Sequence, residues 1–205
     1  MNRIFNLLLG ISLLLFPVYT FATHAVGIDL TYQCNGGNQY SFTLTLYRDC
    51  AGVSAPTAPS VNVSSASCGI NTSAALSLVS VKEVSQICPS QLGSTTCNGG
   101  SLPGIEEYIY TGTHTFPMVC TDWVLGYSLC CRNNAVTNLS SPGSQNIYVE
   151  ALLNNSVCNS SPVFTTLPVP YICAGTDFSY NHGVIDIDGD GSLNMTIHGP
   201  RSIKL

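Results

Sequence analysis

The sequence predicts an all-β protein: a disulfide-stabilised antiparallel β-sandwich of immunoglobulin-like architecture, built as one domain or as two stacked small sandwiches. Three observations lead there. Tyr40, Phe42, Leu44 and Leu46 alternate with Ser41, Thr43, Thr45 and Tyr47, the period of two expected of a strand with one buried face. Clusters of Gly, Pro, Asn and Ser punctuate the chain between short apolar runs. All ten cysteines lie beyond residue 22, an even count in the part of the chain that would be exported.

The first 22 residues read as a secretory signal peptide. Arg3 and the amino terminus supply a positive start, an apolar run from Ile4 to Phe16 follows, and Thr20, Phe21 and Ala22 precede a mature start at Thr23. An uncleaved anchor is the alternative, and the apolar run ends short of the roughly 18 residues that a span requires. Strands are then expected over Ile28 to Cys34 and Tyr40 to Cys50, joined by Asn35-Gly36-Gly37-Asn38. Further strands are expected over Ser60 to Ser64, Leu76 to Val84, Glu107 to Thr115, Trp123 to Cys130, Ile147 to Leu153 and Val163 to Leu167. Only Ala74 to Val81 leaves a helix open, because its Ala and Leu residues suit either state. Eight or so short strands separated by turns argue for a sandwich. The simplest division is a cysteine-rich domain from Thr23 to Tyr180, followed over 181–205 by an Asp-rich turn and the truncated start of a further repeat.

Cys34, Cys50, Cys68, Cys88, Cys97, Cys120, Cys130, Cys131, Cys158 and Cys173 include no C-x-x-C pair, which disfavours zinc and thioredoxin-like chemistry and leaves disulfides. Cys34 and Cys50 should not pair, since they fall at opposite ends of a hairpin about 30 Å long at 3.3 Å per residue. Cys88 with Cys97, and Cys50 with Cys68, are the expected bridges because each pair encloses a short polar loop. Cys130 and Cys131 either reach separate partners or form a strained vicinal ring; separate partners are expected, because neighbours on a strand point to opposite faces and a strand does not supply the peptide geometry a vicinal bond needs.

The mature chain of 183 residues keeps five Lys or Arg (Arg48, Lys82, Arg132, Arg201, Lys204) against eleven Asp or Glu, with no basic cluster. Nucleic acid and anionic membrane surfaces are thereby disfavoured. No GxSxG elbow or HExxH motif is present. Adjacent Glu106 and Glu107 would point to opposite faces of a strand, which disfavours a glycosidase pair. Trp123 reads as core, and Tyr108 and Tyr110, on one side of a strand, as candidates for a binding face. Six Asn-x-Ser/Thr triplets, at Asn62, Asn71, Asn138, Asn154, Asn159 and Asn194, follow largely from composition. Asp186, Asp188 and Asp190 alternate on a Gly-containing turn in the manner of the first half of a calcium loop, making calcium the one candidate cofactor. The glutamate expected at position 12 of such a loop is replaced by Ile197.

The passages THAVGIDLTYQC, YSFTLTLYRDCAG, EVSQICPSQLGSTTCNGG, CTDWVLGYSLCCRNNAVTNL, CNSSPVFTTLPVPYICAG and NHGVIDIDGD together resemble the N-terminal region of large secreted surface proteins of Bacteroidetes, of the gliding-motility-associated or PKD-domain type. The likeness covers about Thr23 to Asp190. It implies export, delivery to the cell surface or medium by type IX secretion, and a role in adhesion or recognition. After Asp190 the chain departs from the family, reading GSLNMTIHGPRSIKL, too short for another sandwich domain. The expectation is a non-catalytic surface or extracellular module that binds a protein or glycan, as the front of a larger or interrupted protein. The alternatives are a freestanding secreted binding protein or inhibitor, and a hydrolase using His114 or His182.

Overall fold

The computed structural model describes residues 25–133, 136, 139–167, 181 and 183–189. The signal segment, Cys173, His182 and Asp190 fall outside them. Two four-stranded antiparallel sheets pack face to face. The first has the order β1 (Ala25–Gly36), β2 (Gln39–Asp49), β6 (Ile105–Thr115), β5 (Ser77–Glu83). The second has the order β4 (Ile70–Ala75), β3 (Ser60–Ser65), β7 (Trp123–Leu129), β8 (Ile147–Leu153). The predicted all-β sandwich is thus the observed architecture. A single core joins both sheets. A two-stranded sheet of β9 (Val163–Phe164) and β10 (Val184–Ile185) lies beyond it.

β1 and β2 turn through Gly37 and Asn38, both left-handed at φ 60° and 61°. Mirror-image turns of this kind match the twist of paired strands, so a Gly-Asn dipeptide suits the position. Alternation then does what the sequence promises: Tyr40, Phe42, Leu44 and Leu46 are all buried, facing the core from β2. Val61 and Val63 of β3 and Trp123 and Leu125 of β7 face them from the other sheet. Trp123 is fully buried, as expected, with its ring centroid 4.6 Å from that of Phe116.

Ala74 to Val81 is no helix. The chain runs as β4 to Ala75, changes sheet at the buried Leu76, and continues as β5. The Leu76 amide donates to the carbonyl of Pro59 at 2.9 Å, holding the crossing in place. The strand expected from Leu76 to Val84 corresponds to β5, whereas β4, with Asn71, Thr72 and Ser73 all exposed, was missed. Tyr108 and Tyr110 likewise differ from expectation. Their rings stack 6.3 Å apart, but Tyr110 is fully buried and donates to the carbonyl of Pro56, while Tyr108 packs partly buried against the core. They fill the sandwich rather than offer a binding face. Burial pushes the Tyr110 hydroxyl up to about 12.

Two polar groups fix the loops at one end of the second sheet. The buried Asn155 accepts through Oδ1 from the Cys120 amide (2.8 Å) and from Trp123 Nε1 (3.1 Å), and its Nδ2 donates to the carbonyl of Met118. Asp122 accepts from the hydroxyls of Ser65 and Ser67 and from the Ser67 amide, closing the turn between β3 and β4. These hydrogen bonds hold its carboxyl down to about 2, against an ordinary 3.8.

Two outcomes follow. Asn155→Leu leaves the Trp123 and Cys120 donors without their shared acceptor, and urea unfolding of the disulfide-intact mature protein should show a loss of about 2–4 kcal/mol. Because the folded pKa of Asp122 is depressed, its contribution is fully present above pH 3.8 and is lost as the pH falls through about 2. Melting temperature measured across that window should fall less steeply for Asp122→Asn than for the wild type; equal slopes would show that the turn does not depend on the ionised carboxylate.

Candidate functional site

Four disulfides frame the sandwich: Cys34–Cys158, Cys50–Cys97, Cys68–Cys120 and Cys130–Cys131. Cys34 and Cys50 are indeed unpaired with each other. The two expected loop bridges, Cys88 with Cys97 and Cys50 with Cys68, are not formed, and strand pairing explains why. β2 pairs with β6 so that Asp49 faces Ile105, and the Cys50 amide donates to the carbonyl of Gly104 at 2.9 Å. That brings the loop before β6, and Cys97 in it, to Cys50. Likewise β3 pairs with β7 so that Ser65 faces Trp123, which sets the turn bearing Cys68 beside Cys120.

Cys130 and Cys131 form a ring with each other rather than taking separate partners. β7 ends at Leu129, so strand alternation no longer governs them, and Cys131 takes a left-handed φ of 83°. The peptide that follows ties the two sheets together: the Cys131 carbonyl accepts from the Ala25 amide at the start of β1, and Asn133 Nδ2 donates to Asp49. Cys88 is exposed and has no disulfide partner among the described residues. Such bridges are the product of an oxidising compartment, outside the reducing cytosol. No helix among the described residues is long and apolar enough to cross a membrane.

On this frame, the outer face of the first sheet carries a hollow of about 480 Å3. Two cross-strand rows form its floor: Gly27, Tyr47 and Glu107, then Asp29, Thr45 and Ile109. Phe164, Thr165, Thr166 and Leu167 overhang it. The Tyr47 hydroxyl donates to Glu107 Oε1 at 3.1 Å, holding ring and carboxylate in fixed positions. Burial raises the Asp29 carboxyl above its ordinary value, opposed in part by a hydrogen bond from the Leu30 amide. A second hollow of about 580 Å3 follows the seam between β1 and β8 and shares Ile28, Asp29 and Phe164 with the first. Asp29, Glu107 and Glu150 are the charged groups among the described residues of the two linings, and none of those residues is Lys, Arg or His. The surface offers hydroxyls, carboxylates and the rings of Tyr32, Tyr47 and Phe164, a set that hydrogen-bonds and stacks on a polar or cationic ligand.

Other candidates are placed as follows. Glu106 and Glu107 do take opposite faces: Glu106 lies 3.6 Å from Arg48, while Glu107 joins the hollow. His114 stacks on Phe42 and meets Phe116 edge-on, and burial holds its pKa below the ordinary value, so it sits as a neutral ring among aromatics. Asp186 Oδ1 accepts from the amides of Asp188 and Gly189, and Asp188 Oδ2 accepts from the Ser160 amide at 2.5 Å. Both carboxylates thus close a turn and tie it to the chain leaving the sandwich. Calcium takes six to eight oxygens, and Asp190, the third carboxylate of the expected set, lies outside the described residues. The sole group of three metal-ligating side chains among the described residues is Cys50, Cys97 and Glu106, whose sulfurs are bonded to each other. Sequence reasoning passed over Asp29, Thr45 and Tyr47; the available signal was the polar, outward-facing half of the same alternation that revealed β2.

No family model, curated protein or solved structure matches this chain.

Four bridges use eight of the ten cysteines and leave Cys88 and Cys173. Peptide mapping of the unreduced mature protein should recover the four pairings above, and a thiol assay on the denatured, unreduced protein should find no free thiol if Cys88 and Cys173 bridge. Two reactive thiols at these positions would show that they do not.

Proposed function

We propose that the chain is an exported, non-catalytic recognition module that binds a protein or glycan at the cell surface or outside it, as the N-terminal part of a larger surface protein. The observation that carries this reading is the hollow around Asp29, Tyr47 and Glu107: a fixed set of hydroxyls, carboxylates and aromatic faces on the outside of a stapled sandwich. Among the described residues its lining holds threonine hydroxyls and carboxylates but no histidine, a set suited to hydrogen bonding. The family resemblance of the sequence supports the same reading, since it implies adhesion or recognition. A low share of charged residues, 8 % of the chain, and many neutral polar groups suit a ligand recognised by hydrogen bonding and stacking.

The test is binding of the mature protein to arrays of glycans and surface proteins. Asp29→Asn and Tyr47→Ala should each weaken the strongest hit by about tenfold, the value of one lost hydrogen bond or stacking contact of about 1.4 kcal/mol. Ser73→Ala, on a strand of the other sheet, should leave it unchanged. An inert protein, or hits indifferent to both hollow variants, would sink the proposal.

A further inference from the structure

The chain carries the same four residues twice: Cys34-Asn35-Gly36-Gly37 at the end of β1, and Cys97-Asn98-Gly99-Gly100 in the loop before β6. In each the cysteine is bridged, to Cys158 and to Cys50, and the asparagine is exposed. An asparagine followed by glycine is prone to intramolecular attack, because no Cβ hinders the glycine amide from reaching the side-chain carbonyl carbon. Local sequence and exposure are matched, so a difference between the two sites comes from the fold.

Asn98 is held. It closes a short 3-10 turn over Thr96–Asn98, and its Nδ2 lies within hydrogen-bonding distance of Glu83 Oε2 (2.8 Å), the Leu92 carbonyl (2.9 Å) and Thr95 Oγ1 (3.1 Å). Glu83 is itself fixed by the Ser85 hydroxyl, which donates to it at 2.7 Å. The Gly99 amide, which would have to attack, donates to the Thr96 carbonyl. Asn35 is placed otherwise. Cys34 faces Tyr40 and Gly36 faces Gln39, so the register of β1 with β2 skips Asn35, the extra residue of a bulge. Among the described residues its Nδ2 has one acceptor, Ser41 Oγ at 2.8 Å, in a solvent-exposed bond.

We propose that Asn35 is a site of spontaneous deamidation and that the fold protects Asn98 from the same reaction. The Gly36 nitrogen attacks Asn35 Cγ; the N–Cγ bond forms, the Cγ–Nδ2 bond breaks, and ammonia leaves with the proton of the Gly36 amide. Water then opens the cyclic imide at either carbonyl, giving aspartate or isoaspartate and one added negative charge. Both products suit the position: a carboxylate there accepts from the Ser41 hydroxyl, and a bulge already accommodates extra main chain. The adjacent Cys34–Cys158 bond keeps the hairpin fastened to the sandwich.

The disulfide-intact mature protein, incubated at mildly alkaline pH and followed by peptide mass spectrometry, tests this. Asn35 should gain the mass of an amide-to-acid exchange, as both aspartate and isoaspartate, at least about tenfold faster than Asn98, the factor that one or two intramolecular hydrogen bonds are worth. In the reduced chain held unfolded in urea, the two sites should convert at similar rates. Equal rates at the two sites of the folded protein overturn the proposal, as does an Asn35 that stays intact while the unfolded chain converts. A difference that persists in urea also overturns it, because flanking sequence rather than the fold would then be its source.

Discussion

The rest of the structure depends on the pairing of β2 with β6. These strands run antiparallel from Gln39 opposite Thr115 to Asp49 opposite Ile105 without a slip in register. Because side chains alternate with a period of two, a slip of one residue would exchange the two faces of β6 against β2. On the inner side the pairing sets Leu44 opposite the buried Tyr110 and Leu46 opposite Tyr108. On the outer side it sets Tyr47 beside Glu107 and Thr45 beside Ile109, which makes the floor of the hollow. At its end it delivers the loop containing Cys97 to Cys50. Core, hollow and one disulfide thus share a single register, and the covalent bond in turn resists a slip of that register.

This dependence explains which features were legible in the sequence. The strands with one apolar face, β2, β7 and β8, announce themselves through alternation, and their limits agree with the structure to within a residue or so. β4 did not, because Asn71, Thr72 and Ser73 give it no apolar repeat, and its place is set by pairing with β3. The disulfides were the least legible. Loop length suggested Cys88 with Cys97 and Cys50 with Cys68, but proximity between cysteines is decided by which strands pair, a long-range fact that spacing does not contain. One exclusion, Cys34 with Cys50, was accessible because it needed only the length of a hairpin.

The hollow was hidden for a related reason. Asp29, Thr45, Tyr47 and Glu107 sit on three stretches of sequence, β1, β2 and β6, that look like ordinary solvent-facing halves of strands. Nothing about any one of them is unusual alone. Their significance comes from the register that puts Tyr47 within hydrogen-bonding distance of Glu107 and from the desolvation that raises Asp29, and both require a neighbour from far along the chain.

For Tyr47 the neighbour is β6; for Asp29 it is the segment after Cys158, which a disulfide brings there. The bond to Cys34 brings this segment to the edge of β1, where the Ser161 amide donates to the Tyr32 carbonyl, the Tyr32 amide donates to Ser161 Oγ, and the Cys34 amide donates to Ser160 Oγ. From there the chain crosses to the outer face, where Phe164 to Leu167 overhang Asp29 and Tyr47. The enclosure that separates a binding hollow from an ordinary polar surface therefore depends on one long-range disulfide and the serine hydrogen bonds beside it, contacts that join residues more than a hundred positions apart.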